Sequence, residues 1–589
     1  MSATTLGVER SIGGRRWRTR LGDDRLALAL AQRLDIPEIV ARVLAARGID
    51  ADHAGDFLNP TLRALLPDPS TMAGMDEAVA RLADAVVGRQ AIGIFGDYDV
   101  DGATSSALLV RFLGALDVPT VVHIPDRQKE GYGPNAAALL SLRERGASLI
   151  VTVDCGISAF EPLRLAHEAG IEVIVFDHHT AEATLPAARA VVNPNRLDDT
   201  SGLGQLAAVG VTFMAIVALN RELRRRGHYG QRPEPQLMAW LDLVALGTIC
   251  DSVPLTGLNR ALALQGFKAM AARGNRGLAA LADVARLTEA PGAYHAGFIL
   301  GPRINAGGRV AEPDLGVRLL TTEDGDVASG LALRLDALNA ERQTIEKGVL
   351  EAALLQAEAQ ADSPCIVVAD AGWHPGVIGI VASRVVERFN RPAFVVALAA
   401  GIGKGSGRSL AAVDLGGAVT AARQAGLLVN GGGHPMAAGI TVEEGRLAEV
   451  AAFLCERLAQ AVSQRPVLPE LGIDGSLAVG AANTALLADI ERLGPFGVGN
   501  AEPRFVVAGA RVVRADVVGS DHVRCILAGG DGARLKAIAF RAAGEPLGRA
   551  LTEGAGRELH LAGKLRMDRW QGAERAQFII EDAAPAAGV

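Results

Sequence analysis

The chain has 589 residues, 49% of them hydrophobic and 21% charged. Its formal net charge of −7, taken alone, argues mildly against a nucleic-acid partner, but the total does not report local basic patches and therefore excludes no partner. This length exceeds a single hydrophobic core and predicts about three or four domains, and no apolar run approaches the ~18–20 residues that cross a bilayer. The five cysteines include no CxxC pair, which argues against a disulfide framework or a structural zinc site and favours a reducing cytoplasm.

Five segments with different textures follow one another along the chain. Residues 1–75 are rich in Ala and Leu and predict a helical cap on the domain that follows. In 76–325, short apolar runs alternate with helical stretches, a pattern typical of a doubly wound parallel sheet. Residues 326–362 predict one long connecting helix, and 363–465 restart an α/β pattern. Residues 466–589 form short alternating segments that predict an all-β barrel or sandwich.

Five short apolar runs end in acids, histidines or amides. Because the carboxyl ends of parallel strands meet at one crevice, these polar groups are expected to converge. Packed carboxylates repel one another unless a cation neutralises them, and oxygen ligands with one or two imidazoles suit Mg²⁺ or Mn²⁺. The pattern therefore predicts a two-metal hydrolase site. The groups, in chain order, are Asp97, Asp99 and Asp101 after AIGIF, Asp154 after LIVTV, Asp177, His178 and His179 after IEVIVF, Asn193 and Asn195 in VVNPN, and Asp251 after LVALGTIC.

Simpler explanations exist for each group alone. The spacing of Asp97, Asp99 and Asp101 could begin a calcium loop, but the position of the required Glu is occupied by Leu108. An acid at a strand end, such as Asp154, often only caps the next helix. A buried core explains at most one histidine of an adjacent pair. The order of all the groups together favours the metal site.

The motifs DYDVDG, VTVDCGIS, FDHHT and GTICDSVPL resemble the four motifs of the DHH phosphoesterase superfamily. The segments GPRINAGGR (301–309), GKGSGRSL (403–410) and GGGHPMAAGI (431–440) resemble companion segments of its RecJ branch. The likeness covers nearly all of the chain from about residue 60. It implies a DHH catalytic domain, a DHHA1-like substrate-binding domain after the long helix, and a C-terminal OB-fold-like nucleic-acid-binding domain.

The resemblance implies a two-metal-dependent 5′→3′ exonuclease that hydrolyses single-stranded DNA to 5′-mononucleotides in DNA recombination and repair. Its cofactors would be two divalent ions, Mn²⁺ or Mg²⁺. Asp154, His178 and His179 would be catalytic, with His179 facing the scissile phosphate. The implied metal ligands are Asp99 and Asp101 on different ions, Asp154 bridging both, His178 and Asp251 completing one shell, and Asp97 close to the other. Which of Asp97 and Asp99 is a direct ligand stays open.

Four further segments, DRQKEGYGPN, GPRINAGGR, GKGSGRSL and GGGHP, offer groups that suit a DNA strand, although surface loops and tight turns often carry such residues without a ligand. DRQKEGYGPN provides a cation, an aromatic ring and a side-chain amide. GPRINAGGR is rich in Gly and Pro, which predicts a loop with exposed charged side chains. GGGHP lets backbone amides approach a phosphate. In the tail, Phe540 and Trp570 could stack on bases, with the barrel core favoured for Phe540. The candidate DNA-binding residues are Arg127, Tyr132, Asn135, Arg303, Asn305, Arg309, Arg408, Ser409, Gly432, Gly433 and His434.

Two other functions fit parts of the pattern. A phosphoesterase acting on short oligonucleotides or cyclic dinucleotides would share the first two lobes, but the β-rich tail favours a polymer substrate. A catalytically silent scaffold would lack motif acids that are present here. The resemblance further implies single-stranded DNA as the partner, together with a single-stranded-DNA-binding protein and a RecQ-type helicase. It also implies a bacterial cytoplasmic location, with nucleoid association during repair.

Overall fold

The computed structural model describes residues 4–127, 129–464, 468–554, 556–569 and 574–586. Its α-helices are α1 (Arg25–Leu34), α2 (Glu38–Ala46), α3 (Ala54–Leu58), α4 (Leu62–Leu65), α5 (Met75–Val87), α6 (Val100–Ala115), α7 (Ala136–Glu144), α8 (Phe160–Glu168), α9 (Ala208–Arg225), α10 (Leu241–Cys250), α11 (Gly257–Ala271), α12 (Arg276–Val284), α13 (Gly301–Val310), α14 (Leu315–Thr321), α15 (Gly325–Glu358), α16 (Ile378–Phe389), α17 (Leu415–Gln424), α18 (Leu447–Ser463), α19 (Thr484–Glu491) and α20 (Pro546–Glu553). A π-helical turn, His295–Leu300, directly precedes α13.

The strands are β1 (Arg16–Thr19), β2 (Ile92–Gly96), β3 (Thr120–His123), β4 (Leu149–Val153), β5 (Val173–Phe176), β6 (Ala190–Val192), β7 (Ile366–Asp370), β8 (Ala393–Ala399), β9 (Ile402–Arg408), β10 (Asn430–His434), β11 (Ala437–Glu443), β12 (Glu470–Ile473), β13 (Gly475–Leu477), β14 (Phe505–Val518), β15 (His522–Ala528), β16 (Arg534–Ala539), β17 (Glu558–Asp568) and β18 (Arg575–Pro585). Residues 68–251 and 266–465 form one compact unit, and 1–67, 252–265 and 466–589 form another. Among the described helices, none is long and apolar enough to cross a lipid bilayer.

The predicted parallel sheet is confirmed. Its strands lie in the order β3-β2-β4-β5-β6, and every pair is parallel. Helices α7 and α8 cover one face, where Phe95, Leu142 and Ile150 are fully buried, while α6 and α9 pack on the other. The chain leaves β2 towards β3 on one side and returns to β4 on the other, so the crevice between β2 and β4 is the topological switch point where open α/β sheets bind ligands.

The prediction of a strand over LVALGTIC is wrong, because this run forms helix α10. Its residues from Leu241 to Thr248 are all buried, and the helix packs against α6 and α9. A uniformly apolar run has no periodicity that separates a buried strand from a buried helix. Asp251 therefore follows a helix and caps its C-terminal end.

The second half of the same unit contains the predicted long helix and the second α/β lobe. Helix α15 spans 34 residues, and it leads into a sheet of order β10-β11-β9-β8-β7, in which only β7 and β8 are parallel among the described strands. Within the segment GGGHP, residues 431–434 belong to strand β10, so the alternative of an ordinary tight turn before a helix does not hold. Gly431 to His434 instead pair with β11.

The other unit contains the predicted C-terminal barrel. Strands β14, β15, β16, β18 and β17 form a closed ring, because β14 also pairs with β17. The expectation that residues 1–75 cap the following domain is wrong for the first helices, since Leu30, Val40 and Leu44 share one core with the barrel strands. Phe540 is 53% exposed, contrary to the expected core position, and Trp570 lies outside the described residues.

A buried acid in α10 predicts a pH-dependent stability. Asp242 is 1% exposed, and burial raises the pKa of its carboxyl from 3.8 to about 6, opposed only in part by the Leu243 amide and the charge of Arg111. Because the folded state holds this proton more tightly than the unfolded state, stability is lost as pH rises from about 4 to about 6. We expect Asp242→Asn to remove that loss and to raise the unfolding free energy by up to about 3 kcal/mol above pH 6.

Thermal unfolding of both proteins between about pH 4.5 and 7.5 measures this difference. The exposed Asp362 provides the control substitution, Asp362→Asn, which should leave the pH profile unchanged. A stability difference between wild type and Asp242→Asn that is equal at both ends of the pH range would contradict the assignment.

Candidate metal centre

Seven predicted side chains meet at the switch point of the parallel sheet. Potential ligand atoms form three groups, and within each group they lie within 4.8 Å of one another. Asp154 and His178 each belong to two groups, so the three groups form one continuous cluster. The groups are Asp97, Asp99 and Asp154; Asp101, His178 and Asp251; and Asp154, His178 and His179.

The imidazole of His178 lies at the centre of this cluster. Its Nε2 lies 3.3 Å from Oδ1 of Asp154, 3.6 Å from Oδ2 of Asp251 and 4.0 Å from Oδ2 of Asp101. Burial and the neighbouring charge of His179 lower the pKa of His178 to about 4, so at pH 7 the ring is neutral. Nε2 is buried, and it has no hydrogen-bond partner among the described residues. Ligands of an octahedral ion with bonds of 2.0–2.1 Å lie about 3.0–4.2 Å apart, which matches these separations.

The carboxylates around His178 are also buried and repel one another. Burial raises the pKa of Asp97, Asp101 and Asp154 well above the usual range, and the charges of neighbouring acids raise them further. Burial and the charge of Asp99 raise the pKa of Asp251 to about 7. Oδ1 of Asp97 is a second buried atom without a hydrogen-bond partner in the described part of the chain. Unpaired buried polar atoms are costly, and divalent cations would satisfy both of them. The donor set therefore fits divalent metal ions.

Local structure fixes each acid of the DYDVDG motif. The backbone amides of Ala208 and Val209, at the start of α9, donate to the two oxygens of Asp101 at 2.7 and 2.9 Å. Asp99 caps α6 by accepting from the amide of Gly102 at 3.0 Å. A Cβ at Gly102 would lie 2.4 Å from the carbonyl oxygen of Asp97, so this position requires glycine.

Asp154 follows β4 with φ of 62°, in the left-handed region that residues with a Cβ rarely adopt. It is 3% exposed and belongs to two of the three groups of ligand atoms. Backbone strain of this kind is often found at functional positions.

Asp177 does not face the cluster but orients its neighbour. Its carboxylate is fully buried and accepts the amides of Ile157, His178 and His179 at 2.7–3.1 Å. It also lies 2.7 Å from Nδ1 of His179. Burial lowers the pKa of His179, but the hydrogen bond and charge of Asp177 outweigh it and raise that pKa to about 9. The second imidazole is therefore protonated at pH 7.

The strand-end amides also have supporting positions. The side-chain amide of Asn193 donates to the carbonyl of His179 at 2.9 Å, and that of Asn195 donates to the carbonyl of His178. These two residues hold the backbone of the histidine pair. Their place after β6 was visible in the sequence, but their role depends on contacts across the sheet.

The loop before α7 brings one predicted substrate residue to the cluster. The hydroxyl of Tyr132 lies 3.3 Å from the ring nitrogens of His179 and donates to the carbonyl of Asp154 at 3.3 Å, while 51% of the residue is exposed. Asn135 caps α7 through the amide of Ala138 and donates to Glu130, so its side chain is occupied by structural contacts.

A cleft of about 610 Å³ in the same unit gathers several of the other predicted residues. Arg127, Arg309, Arg408 and Gly433, from four distant segments, all line it. Lys404 also lines it and was missed, although the alternation in GKGSGR places Lys404 on the same strand face as Arg408. Apolar walls come from residues such as Trp373, Ile378, Leu398 and Ile402.

The expected loop over GPRINAGGR is wrong, because this segment forms helix α13. Pro302 lies in the first turn, where a missing N–H is tolerated. Gly308 allows close packing, since a Cβ there would lie 2.7 Å from the carbonyl oxygen of Tyr98. The ring of Tyr98 lies 5.4 Å below the guanidinium of Arg127, which is thereby held at the cleft.

The remaining predicted residues do not line the cleft. Arg303 pairs with Asp336 at 2.8 Å, and its side chain also donates to the carbonyl of Ile299. Ser409 is buried and donates to the carbonyl of Val413 at 2.7 Å. Asn305 lies partly buried on α13, and Gly432 and His434 are exposed on β10.

Comparisons with known proteins identify the family. Family models match residues 91–248 (DHH family, N-terminal domain), 362–460 (DHHA1 domain) and 473–582 (RecJ OB domain). The chain is 36% identical over 581 residues to the single-stranded-DNA-specific exonuclease RecJ of Bacillus subtilis, covering 97% of this chain and 71% of that protein. It is also 36% identical over 566 residues to RecJ of Escherichia coli, covering 94% of this chain and 96% of that protein. The chain belongs to the RecJ family.

Solved structures of RecJ proteins have the same fold. The structure of RecJ from Thermus thermophilus in complex with Mn²⁺ matches with a TM-score of 0.80 and 32% identity, over 97% of this chain and 79% of that one. The Mg²⁺ complex from the same organism matches with a TM-score of 0.75 and 31% identity, over 96% of this chain and 78% of that one. The RecJ fold therefore spans both compact units of this chain.

The contact between Asp177 and His179 predicts a measurable change in protonation. We expect Asp177→Asn to lower the pKa of His179 from about 9 to below about 7, because the opposing effect of burial remains when the negative charge is removed. Histidine-labelled, metal-free protein titrated by NMR provides the measurement. Wild-type protein titrated in the same way is the reference. A His179 pKa that stays near 9 in the variant would contradict the assigned contact.

Proposed function

We propose that this RecJ-family protein is a two-metal-dependent 5′→3′ exonuclease that hydrolyses single-stranded DNA and releases 5′-mononucleotides, acting in DNA recombination and repair. The observation that carries the proposal is one compact unit that contains both a cluster of buried metal-ligand groups and a cationic cleft. The relatives described above are named single-stranded-DNA-specific exonucleases, and the related Thermus thermophilus structures contain Mn²⁺ or Mg²⁺.

We assign two divalent ions, Mn²⁺ or Mg²⁺, to the cluster. Asp101, His178 and Asp251 would hold one ion, Asp97 and Asp99 would face the other, and Asp154 would contribute to both. When bound, such a pair of ions supplies Lewis-acid stabilisation of the charge that builds on the phosphate oxygens during an in-line displacement. The neutral ring of His178 suits a ligand because its Nε2 lone pair is free of a proton at pH 7.

The protein's own groups would bind and orient the phosphate. His179 is held through Nδ1 by Asp177, which keeps the ring positively charged at neutral pH. A positioned imidazolium can donate to a phosphate oxygen or protonate the leaving 3′-oxygen. The hydroxyl of Tyr132 contacts the same ring and restricts its orientation.

The cleft accounts for attack from the 5′ end. A terminal phosphate carries about −1.5 to −2 charges at pH 7 and presents three acceptor oxygens, more than an internal phosphodiester. Arg127, Lys404 and Arg408 line the cleft, and so does Arg309, which donates to the carbonyl of Gly376 at 3.0 Å. Burial and nearby arginines lower the pKa of Arg309 to about 10, so it remains a cation at pH 7. A 5′-phosphate bound there would place the first phosphodiester bond towards the metal cluster.

The proposal also assigns roles to the rest of the chain. Residues 76–325 would be catalytic, 326–362 would connect, 363–465 would bind the 5′ end of the substrate, and 466–589 would bind the DNA strand. By family resemblance, a single-stranded-DNA-binding protein and a RecQ-type helicase would supply the strand. The bacterial cytoplasm, at the nucleoid during repair, would be the place of action.

Asp154 provides the central test of the metal assignment. We expect Asp154→Ala to lose turnover of 5′-phosphorylated single-stranded DNA by several orders of magnitude, because a group shared by both ions is removed. Mn²⁺ binding followed by electron paramagnetic resonance should fall from two ions in wild type, while circular dichroism shows a folded protein. Asp362→Asn, at an exposed acid, is the control. Near-wild-type activity of Asp154→Ala would contradict the assignment.

Arg408 provides the test of 5′ recognition. Wild type should digest 5′-phosphorylated single strands faster than 5′-hydroxyl or double-stranded ones. Because a hydrogen bond to a charged group is worth about 1.5–3 kcal/mol, Arg408→Ala should lower kcat/KM on the phosphorylated strand about 10- to 100-fold and have little effect on the hydroxyl strand. The exposed Arg384, paired with Glu387, offers the control Arg384→Ala. Equal losses on both ends would contradict a phosphate role for this cleft residue.

A further inference from the structure

Two aromatic rings are exposed side by side on the helical stretch that leads into α13. Tyr294 is 62% exposed and Phe298 is 73% exposed, and their rings stack with centroids 5.5 Å apart and planes at 25°. The four-residue spacing places both rings on one face of the helical stretch that starts at residue 293 and continues through the π-helical turn. Large apolar rings grouped on a surface are typical of a binding site, and π-helical turns are frequent at functional sites.

The helical stretch that carries these rings runs along the metal cluster. Near the start of this stretch, the thiol of Cys250 donates to the carbonyl of Ala296 at 3.5 Å. Cys250 directly precedes Asp251 in the sequence. At its end, Gly308 packs against the backbone of Tyr98, between Asp97 and Asp99, and Arg309 lines the cationic cleft.

The distance between the two ends of this helical stretch corresponds to the length of a few nucleotides of single-stranded DNA. The eleven helical steps from Phe298 to Arg309 correspond to about 16 Å at a rise of ~1.5 Å per residue. The rings lie at the Asp251 end, and the cleft lies at the Asp97 end.

We propose that Tyr294 and Phe298 form a stacking platform for bases of the DNA strand on the 3′ side of the scissile phosphate. This inference rests on the proposed function, which places the 5′-phosphate in the cleft beside Arg309. With the scissile bond at the metal cluster, the rest of the strand continues towards Asp251 and the two rings. Stacking suits an enzyme that must accept every base, because each base has a flat π-face.

The position of the two rings on the helix favours DNA over a partner protein as the molecule that binds them. The same continuous stretch carries the two rings and Arg309, so the platform continues the surface that binds the 5′ end. The stacked rings also present flat aromatic faces rather than an aliphatic groove, which matches bases better than apolar side chains.

The test compares Phe298→Ala and Tyr294→Ala with wild type. The control is Leu355→Ala, because Leu355 is equally exposed, at 73%, on helix α15. The substrates are a 5′-phosphorylated oligo(dT) of about 12 nucleotides, the same strand with abasic units replacing the bases beyond the scissile bond, and a 5′-phosphorylated thymidine dinucleotide. The dinucleotide is too short to reach from the cleft to the rings.

We expect Phe298→Ala to lower kcat/KM on the full oligonucleotide about 5- to 100-fold, since stacking is worth about 1–3 kcal/mol per base. The dinucleotide should be cleaved at the wild-type rate. On the abasic strand, kcat/KM of wild type should fall by the same factor. The variant should show no further fall on that strand, because removing the ring and removing the base abolish the same stacking interaction. Leu355→Ala should match wild type throughout.

Two results would overturn the inference: equal activity of variant and wild type on every substrate, or equal losses on the dinucleotide and the oligonucleotide. Failure of the proposed function is distinguishable, since wild type would then leave single-stranded DNA intact. In that case fluorescence anisotropy with the labelled oligonucleotide still tests the platform. Unchanged affinity of Phe298→Ala would reject it.

Discussion

Mutual repulsion among buried carboxylates is the constraint on which the site depends. Asp97, Asp101 and Asp154 lie in a crevice where burial raises the pKa of each and the neighbouring charges raise it further. Such a cluster is tolerated only with bound protons or cations, so metal binding must displace protons and weaken as the pH falls. The fold keeps the acids together by other means, since the amides at the start of α9 hold Asp101 and the Gly102 amide holds Asp99.

The same cluster shows how two adjacent histidines acquire different roles. His178 faces acids but is buried beside a cationic ring, and its pKa falls to about 4. His179 contacts the buried carboxylate of Asp177, and its pKa rises to about 9. One ring is therefore suited to bind a cation and the other to contact an anion. The difference comes from Asp177, whose position is fixed by three backbone amides.

The polarity of the proposed reaction depends on helix α13 and the stretch before it. The stretch before α13 contacts Cys250, at the end of α10, and the end of α13 places Arg309 in the cleft. Strand β9 brings Lys404 and Arg408 to the same cleft from the second lobe of this unit. A single strand bound in this unit would be oriented by its terminal phosphate, since Arg127, Lys404 and Arg408 all line one cleft. The direction of degradation would then follow from where the charge lies.

The amino-acid sequence by itself determined the parallel sheet, the long helix, the barrel and the acids and histidines at the strand ends. The repeated alternation of short apolar runs with helical stretches is typical of a parallel sheet, and the motif spacing is local. Only the tertiary structure decided that Asp251 follows a helix, that 301–309 is helical, and that Leu30 and its neighbours share a core with the barrel. It also decided that Asp177 orients His179 while Arg303 pairs with Asp336. These outcomes depend on which distant side chains and backbone groups come into contact, and that information is absent from local patterns because burial and charge pairing are properties of the folded chain.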